Sequence, residues 1–192
     1  MAQRRPAPIV AALVLVTLFA APVHARWRLD LEGGAAIPVA RVNLGNTAQT
    51  DTAVSTGGSY AIGGGYGIGD WFEATAQFQQ SLMGLFVIFG NSLDLYSFTA
   101  GGRAYLLPPG RFRPWLVTQI GWYRTDATAS FFGGQITQTA DSFGINAGAG
   151  FDITVTERVS LGLDVRYHNA FQALDGFEAV TTMFNVGLHF GE

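Results

Sequence analysis

The stretch Val159-Ser-Leu-Gly-Leu-Asp-Val-Arg-Tyr-His-Asn169 alternates without a break. Its odd positions Val159, Leu161, Leu163, Val165 and Tyr167 are apolar, and its even positions Ser160, Gly162, Asp164, Arg166 and His168 are small or ionisable. A period of two places successive side chains on opposite faces of an extended chain, so this segment reads as a strand with one apolar and one polar face. The same period recurs in eight segments, at about 26–37, 57–68, 72–82, 94–106, 114–125, 141–153, 159–169 and 179–190. Which solvent each face meets decides between a soluble barrel and a membrane barrel.

The connections alternate in length. Gly69-Asp70-Trp71, Leu107 to Arg113 and Thr154 to Arg158 are short turns, whereas 38–56, 83–93, 126–140 and 170–178 are longer and rich in Gly, Thr, Asn, Gln and Ala. Short turns at one end and long loops at the other describe an up-and-down antiparallel meander. The segment Leu82-Met-Gly-Leu-Phe-Val-Ile-Phe-Gly90 departs from this scheme, because it is apolar where a polar loop is expected. We read it as an irregular rim that extends the third strand and packs on its neighbour, or covers the barrel mouth, the alternative being an apolar patch for a partner or an acyl chain.

Composition narrows the function classes. At 13% charged and 48% hydrophobic residues the chain is not a disordered acidic or basic protein. It has no Lys, and beyond residue 25 nine Arg face fourteen Asp plus Glu, so no basic run exists to neutralise phosphates and no nucleic-acid partner is expected. Zero Cys excludes disulfides, thiol catalysis and thiolate metal sites. The N-terminus joins Arg4-Arg5, an apolar run from Ile9 to Val23 and Val23-His24-Ala25, which matches a secretion signal cleaved after Ala25. The expected division is therefore a signal peptide over 1–25 and one barrel domain over 26–192.

Volume settles the faces. One parity per strand collects thirty large apolar side chains, among them Leu29, Leu31, Ile62, Phe78, Phe98, Ile120, Phe143, Leu163 and Phe184. An eight-stranded barrel has room inside for only about twelve side chains in a comparable core, so most of these must point outward. The other parity suits a narrow lumen: it supplies Gly63, Gly65, Gly67, Gly101, Gly121, Gly144, Gly148, Gly150, Gly162 and Gly187 beside a few long polar groups. Facing lipid, each arginine of that set would cost up to about 2–4 kcal/mol, whereas facing inward it can pair. The fifth strand is apolar on both faces and is assigned by its neighbours, with Leu116 and Ile120 outward. Trp27, Trp71, Phe72, Tyr105, Trp115, Trp122, Tyr123 and Phe190 fall near strand ends, where interfacial aromatic girdles sit.

Several stretches together resemble the OmpA-type outer-membrane β-barrel superfamily: Gly65-Tyr-Gly-Ile-Gly-Asp-Trp-Phe-Glu-Ala-Thr75, Phe112-Arg-Pro-Trp-Leu116 with Gly121-Trp-Tyr123, Gly144 to Asp152, Leu161 to Tyr167, and Met183-Phe-Asn-Val-Gly-Leu-His-Phe190. The resemblance implies an all-β, eight-stranded, antiparallel up-and-down transmembrane barrel in the outer membrane of a Gram-negative bacterium. It further implies outer-membrane lipids and lipopolysaccharide as surroundings, and the barrel-assembly machinery as a partner during insertion. Phe190 would be the terminal aromatic recognised there, although Gly191 and Glu192 follow it. No peptidoglycan-binding domain is expected after the last strand.

The candidate site is the lumen. Arg28, Arg103 and Arg166 with Asp30, Glu32, Glu73, Asp152 and Asp164 are read as a salt-bridged network, structural or gating, because arginine and carboxylate pair bidentately and leave little free volume. His168 and His189 share the lumen parity of adjacent strands and are read as a candidate pair within that set. Two histidines without a third ligand make a poor metal site, so no metal and no cofactor are expected. Tyr167-His-Asn-Ala170 is similar to the His-x-Ser-Asn stretch of outer-membrane lipid A deacylases, but Ala170 stands where the nucleophilic Ser would be, so no catalytic residue is expected. Gly63-Gly-Gly-Tyr-Gly-Ile-Gly69 is not a phosphate loop, since no following Lys-Ser/Thr or helix accompanies it. The function read from the sequence is an integral outer-membrane barrel with a structural or surface-interaction role. A narrow porin-like conduit for small or hydrophobic solutes, as in OmpW-like relatives, is the alternative, and a lipid A modifying enzyme the remote third. Loop partners are not encoded in any pattern we can read.

Overall fold

The structure, a computed structural model, describes residues 26–39, 54–85, 91–131, 134–171 and 177–191. The expected signal segment and most of the expected loops 38–56 and 170–178 lie outside these residues, as does 86–90 of the apolar rim segment. Eight strands follow in chain order: β1 Trp27–Pro38, β2 Val54–Ile68, β3 Phe72–Leu85, β4 Asn91–Tyr105, β5 Phe112–Phe131, β6 Gly134–Thr156, β7 Val159–Ala170 and β8 Phe177–Phe190. Each pairs antiparallel with its sequence neighbours, and β1 pairs with β8 from Trp27↔Phe190 to Pro38↔Ala179, which closes the barrel. Closure matters because a sheet with no edge leaves no row of unpaired backbone groups in contact with lipid.

The turns at one end are as short as expected. Gly69, between β2 and β3, has φ +70°, a left-handed conformation that only glycine adopts without strain. The other end differs from expectation at one connection. The segment 126–140, read as a polar loop, is almost wholly strand, since β5 runs to Phe131 and β6 starts at Gly134. On its β6 arm the successive side chains Thr137, Gln138 and Thr139 are all exposed, so both faces meet water there, and a polar cross-strand contact holds it: the Thr139 hydroxyl donates to Asp126 at 2.7 Å. The third strand does extend into the apolar rim segment, ending at Leu85.

Exposure follows the expected parity. Ile120 is 62%, Phe143 70% and Leu163 45% exposed, while the opposite parity is buried. The two-sided strand β5 resolves the same way, with Leu116 at 49% outward and Trp115 at 0% and Val117 at 4% inward. The register aligns Ile62, Phe78, Phe98, Trp122 and Phe143 in one outward row. The next outward row toward the loop end is Tyr60, Gln80, Tyr96, Arg124 and Asp141, so the apolar band stops between the two. On β5 the band runs from Phe112 to Trp122, a length of about 33 Å along the strand and about 25 Å at a tilt near 40°. That height matches the hydrocarbon core of a membrane rather than any feature of a soluble barrel.

Candidate functional site

Interior side chains divide into three layers along the barrel. Nearest the short turns is a charged layer, because β1 contributes Arg28, Asp30 and Glu32 just after its start, β3 contributes Glu73, β4 Arg103, β6 Asp152 and β7 Asp164 and Arg166. Arg28 forks onto Asp152 with both terminal nitrogens, Nη2 to Oδ1 being 3.1 Å, while its Nε donates to Asp30 at 2.5 Å. Arg103 Nη2 donates to the other Asp30 oxygen at 3.2 Å, and its Nη1 lies 3.5 Å from Glu73. Tyr105 closes this ring, since its hydroxyl donates to Glu73 at 2.7 Å and accepts from Arg28 at 3.3 Å.

A second cluster centres on Arg166. Its Nη2 donates to Glu32 at 2.9 Å and Asp164 at 3.0 Å, its Nη1 donates to Gln77, and Gln77 Nε2 donates back to Glu32 at 2.7 Å. Trp115 joins the clusters: the Arg103 guanidinium lies 4.4 Å and that of Arg166 5.9 Å from its ring centroid. Charge on a ring face of this kind is favourable where water is excluded. All eight charged residues expected in a network therefore lie together, in two linked clusters.

Glycine makes this density possible. A Cβ on Gly150 would lie 2.6 Å from Trp115 Cζ2, one on Gly148 2.7 Å from Arg166 Cγ, and one on Gly162 2.6 Å from Asp152 Oδ1 and 2.7 Å from Asn185 Oδ1. Each long lumen side chain thus occupies space that a neighbouring strand leaves empty. The small residues are not spacing for a pore but sockets for its filling.

The two histidines do not meet: His189 lies at the turn end in register with Arg28 of the charged layer, whereas His168 sits further along the barrel. His168 pairs in register with Ala179, far along β8 from His189. Its Nδ1 faces Tyr123 Oη at 3.3 Å and its Nε2 faces Thr181 Oγ1 at 3.0 Å, while His189 Nε2 faces Ser160 Oγ at 2.9 Å near the turn end. Sharing a parity on adjacent antiparallel strands fixes the face but not the height, which is why the candidate pair separates. His168 belongs to a neutral middle layer in which Asn146 donates to Thr99 at 3.2 Å, Thr99 to Gln119 at 3.0 Å and Gln119 to Thr75 at 2.9 Å. Among the described residues no group of three or more His, Cys, Asp or Glu is arranged to hold a metal ion.

Above this lies a layer absent from the sequence reading. Ala36, Met83, Leu93, Leu95, Tyr123, Ala127, Ala170, Phe177 and Ala179 form one buried apolar cluster inside the loop end. Three residues placed in the aromatic girdle also turn inward: Tyr105, Trp115 and Tyr123 are 7%, 0% and 0% exposed. Trp71, Phe72 and Phe190 do face outward at the turn end, at 46%, 60% and 54%. The signal that separates them is parity, since Trp115 shares it with Gln119 and Tyr105 with Arg103.

The sequence profile described as "Outer membrane protein beta-barrel domain" matches residues 11–190. The chain belongs to this outer-membrane β-barrel family. Its short-turn end is accordingly the periplasmic end and its long-loop end the extracellular one. Solved structures agree on the fold. Neisserial surface protein A superposes with a TM-score of 0.65 at 18% identity, covering 85% of this chain and 97% of that one. Ail, the attachment invasion locus protein of Yersinia pestis, gives 0.59 at 15% identity over 87% and 99%, and OprG of Pseudomonas aeruginosa gives 0.57 at 15% over 88% and 98%. No match is found among curated proteins. Within this outer-membrane barrel, then, the charged layer fills the periplasmic end of the lumen, the neutral layer its middle and the apolar layer its extracellular end.

Proposed function

We propose that this outer-membrane barrel is a plugged, non-catalytic scaffold, whose role lies in what its extracellular strands present rather than in what its lumen passes. The filled charged layer carries this reading: the three arginines and five carboxylates of the network are each 7% exposed or less. Opening a passage would strand charges without partners, at about 3–5 kcal/mol for a buried pair broken on one side. The apolar layer above shields them from bulk water at the extracellular end. Export after cleavage at Ala25, assembly by the barrel-assembly machinery, and lipid and lipopolysaccharide around the apolar belt belong to the same reading. Acyl transfer does not, because His168 is turned into the lumen and Ala170 offers no hydroxyl.

The surface role draws support from the β5–β6 hairpin. Pairing of β6 with β7 ends at Gly144↔Ala170, whereas its pairing with β5 continues to Gly134. Among the described residues, the β6 backbone from Gly134 to Ser142 is therefore unpaired on its β7 side. A free strand edge outside the membrane is a place for another chain to add a strand.

Conductance of the refolded protein in planar bilayers tests the plug, and the expected result is no discrete openings. Discrete openings that disappear on Arg103→Gln or Arg166→Gln would overturn it. One observation favours the conduit reading instead: Asn185 Nδ2 and Oδ1, Asp164 Oδ1 and Arg103 Nε are buried without a hydrogen-bond partner among the described residues. Such atoms call for water, and a hydrated lumen is the first requirement of a conduit. The same recording decides between the two.

A further inference from the structure

The nine arginines beyond residue 25 are not spread evenly. Arg26, Arg111, Arg113 and Arg158 gather at the periplasmic end, where the described acidic groups are Asp70 and Glu157. Two of the four are already engaged. Arg26 pairs with Asp70 at 2.6 Å, and Arg113 stacks 3.6 Å from the Tyr105 ring while donating to the Asp70 carbonyl at 2.7 Å. Arg111 and Arg158 are exposed and have no ion-pair partner among the described residues.

Their backbones are fixed to the barrel rim. The Arg111 carbonyl accepts from Thr154 N–H and the Arg158 carbonyl from His189 N–H, both at 2.8 Å, and Arg158 N–H donates to Thr156 Oγ1 at 3.3 Å. The two arginines thus bracket the end of β6, Arg111 one strand spacing away, about 4.8 Å, and Arg158 in the turn that follows. Their depth is fixed by the neighbouring apolar side chains. Phe112, next to Arg111, is 51% exposed on the lipid face, and Phe190, beside the His189 that bonds Arg158, is 54% exposed. With the rings in the acyl region, the Arg111 and Arg158 main chains stand at the headgroup level of that leaflet, within side-chain reach of lipid phosphates. The extracellular end carries the opposite sign, since Arg124 is accompanied on the outer face by Asp94, Asp126 and Asp141.

We propose that Arg111 and Arg158 form a docking site for the phosphate of an anionic phospholipid in the periplasmic leaflet. A guanidinium fork matches phosphate oxygens in a bidentate way that a lysine would not. Phe112 and Phe190 supply the apolar contact that distinguishes a phospholipid from soluble phosphate. Arg26 and Arg113 add a positive field without being ligands.

Native mass spectrometry of the whole refolded barrel, titrated with phosphatidylglycerol or phosphatidylcholine in detergent, tests the site. The wild type is expected to prefer phosphatidylglycerol, and each of Arg111→Gln and Arg158→Gln to lower that preference about five-fold, as one charge at an anionic surface implies. Arg124→Gln, at the other end, is expected to leave the preference unchanged. An unchanged preference in both rim variants, or an equal loss in Arg124→Gln, would overturn the site. Full displacement of phosphatidylglycerol by millimolar inorganic phosphate would overturn its lipid character. Heat-modifiable migration of each variant confirms that the barrel compared is folded, and Arg111→Lys and Arg158→Lys, which keep the charge and lose the fork, are expected to recover part of the preference.

Discussion

At the scale of single residues, the lumen is governed by glycine sockets, and these differ sharply in what they tolerate. A methyl group on Gly150 would lie 2.6 Å from both the Leu163 carbonyl oxygen and Trp115 Cζ2, and a backbone oxygen held in a barrel ladder cannot move aside. Gly150→Ala is therefore expected to destabilise by about 1–3 kcal/mol through overpacking. Gly33 faces outward with nothing within 4 Å of such a methyl, so Gly33→Ala is expected to be neutral or to stabilise by up to about 0.5–1 kcal/mol. Urea unfolding of the two variants in lipid vesicles separates the signs. The face assignment has its own test in strand β7. Leu163→Arg puts a charge on the lipid face and is expected to block insertion at about 2–4 kcal/mol. If that variant inserted normally while Asp164→Leu did not, the two faces would be exchanged. Most of this scale was legible, because alternation states a residue's face directly. Tyr105, Trp115 and Tyr123 depart from the girdle expectation because nearness to a strand end carries no information about face, whereas parity does, and side-chain partners such as Arg103 over Trp115 depend on heights around the barrel that no single strand records.

At the scale of elements, the alternation located all eight strands, and the short turns fixed their order. What it missed is length beyond the membrane. Inside the band one face must be apolar, so the period is visible; above it both faces meet water, and a stretch of strand such as Thr137 to Asp141 reads as a polar loop. The apolar lining under the loops was missed for a related reason, as Leu93, Leu95 and Phe177 lie where their strands' patterns give way to connections. The hairpin above the membrane contributes little to the barrel, because β4 pairs with β5 only as far as Ser92↔Thr128 and β7 stops at Ala170. Replacing Ala129–Ile136 by a tight Asn-Gly turn is expected to leave insertion intact and to move the urea midpoint little. A surface-binding activity assigned to this protein would be lost with the same change, measured on intact cells expressing either form. Binding that survives the truncation would move the interaction surface to another extracellular segment.

The whole molecule behaves as one ring, since closure and plug depend on all eight strands at once. The charged layer draws on β1, β3, β4, β6 and β7, which are held in place around the ring only by β2, β5 and β8 between them, and the β1–β8 seam removes the last backbone edge within the membrane. Partial unfolding in a membrane would expose unpaired amides and carbonyls to hydrocarbon at several kcal/mol each, which makes local opening within the band unfavourable. Loss of structure should therefore be all-or-none, and slow without heat. In detergent gels the unboiled protein is expected to migrate as a compact folded band and to shift to its full apparent mass only on boiling. Truncation after Val180 removes most of β8 and with it most of its pairing to β1 and to β7, so that form is expected to run at one position whether boiled or not. The hairpin-shortened form, which keeps every strand within the band, is expected to retain the shift. If the β8-truncated chain also kept a compact unboiled band, the ring would not be the unit that resists unfolding, and the stability would have to reside in the charged layer and the remaining seven strands alone.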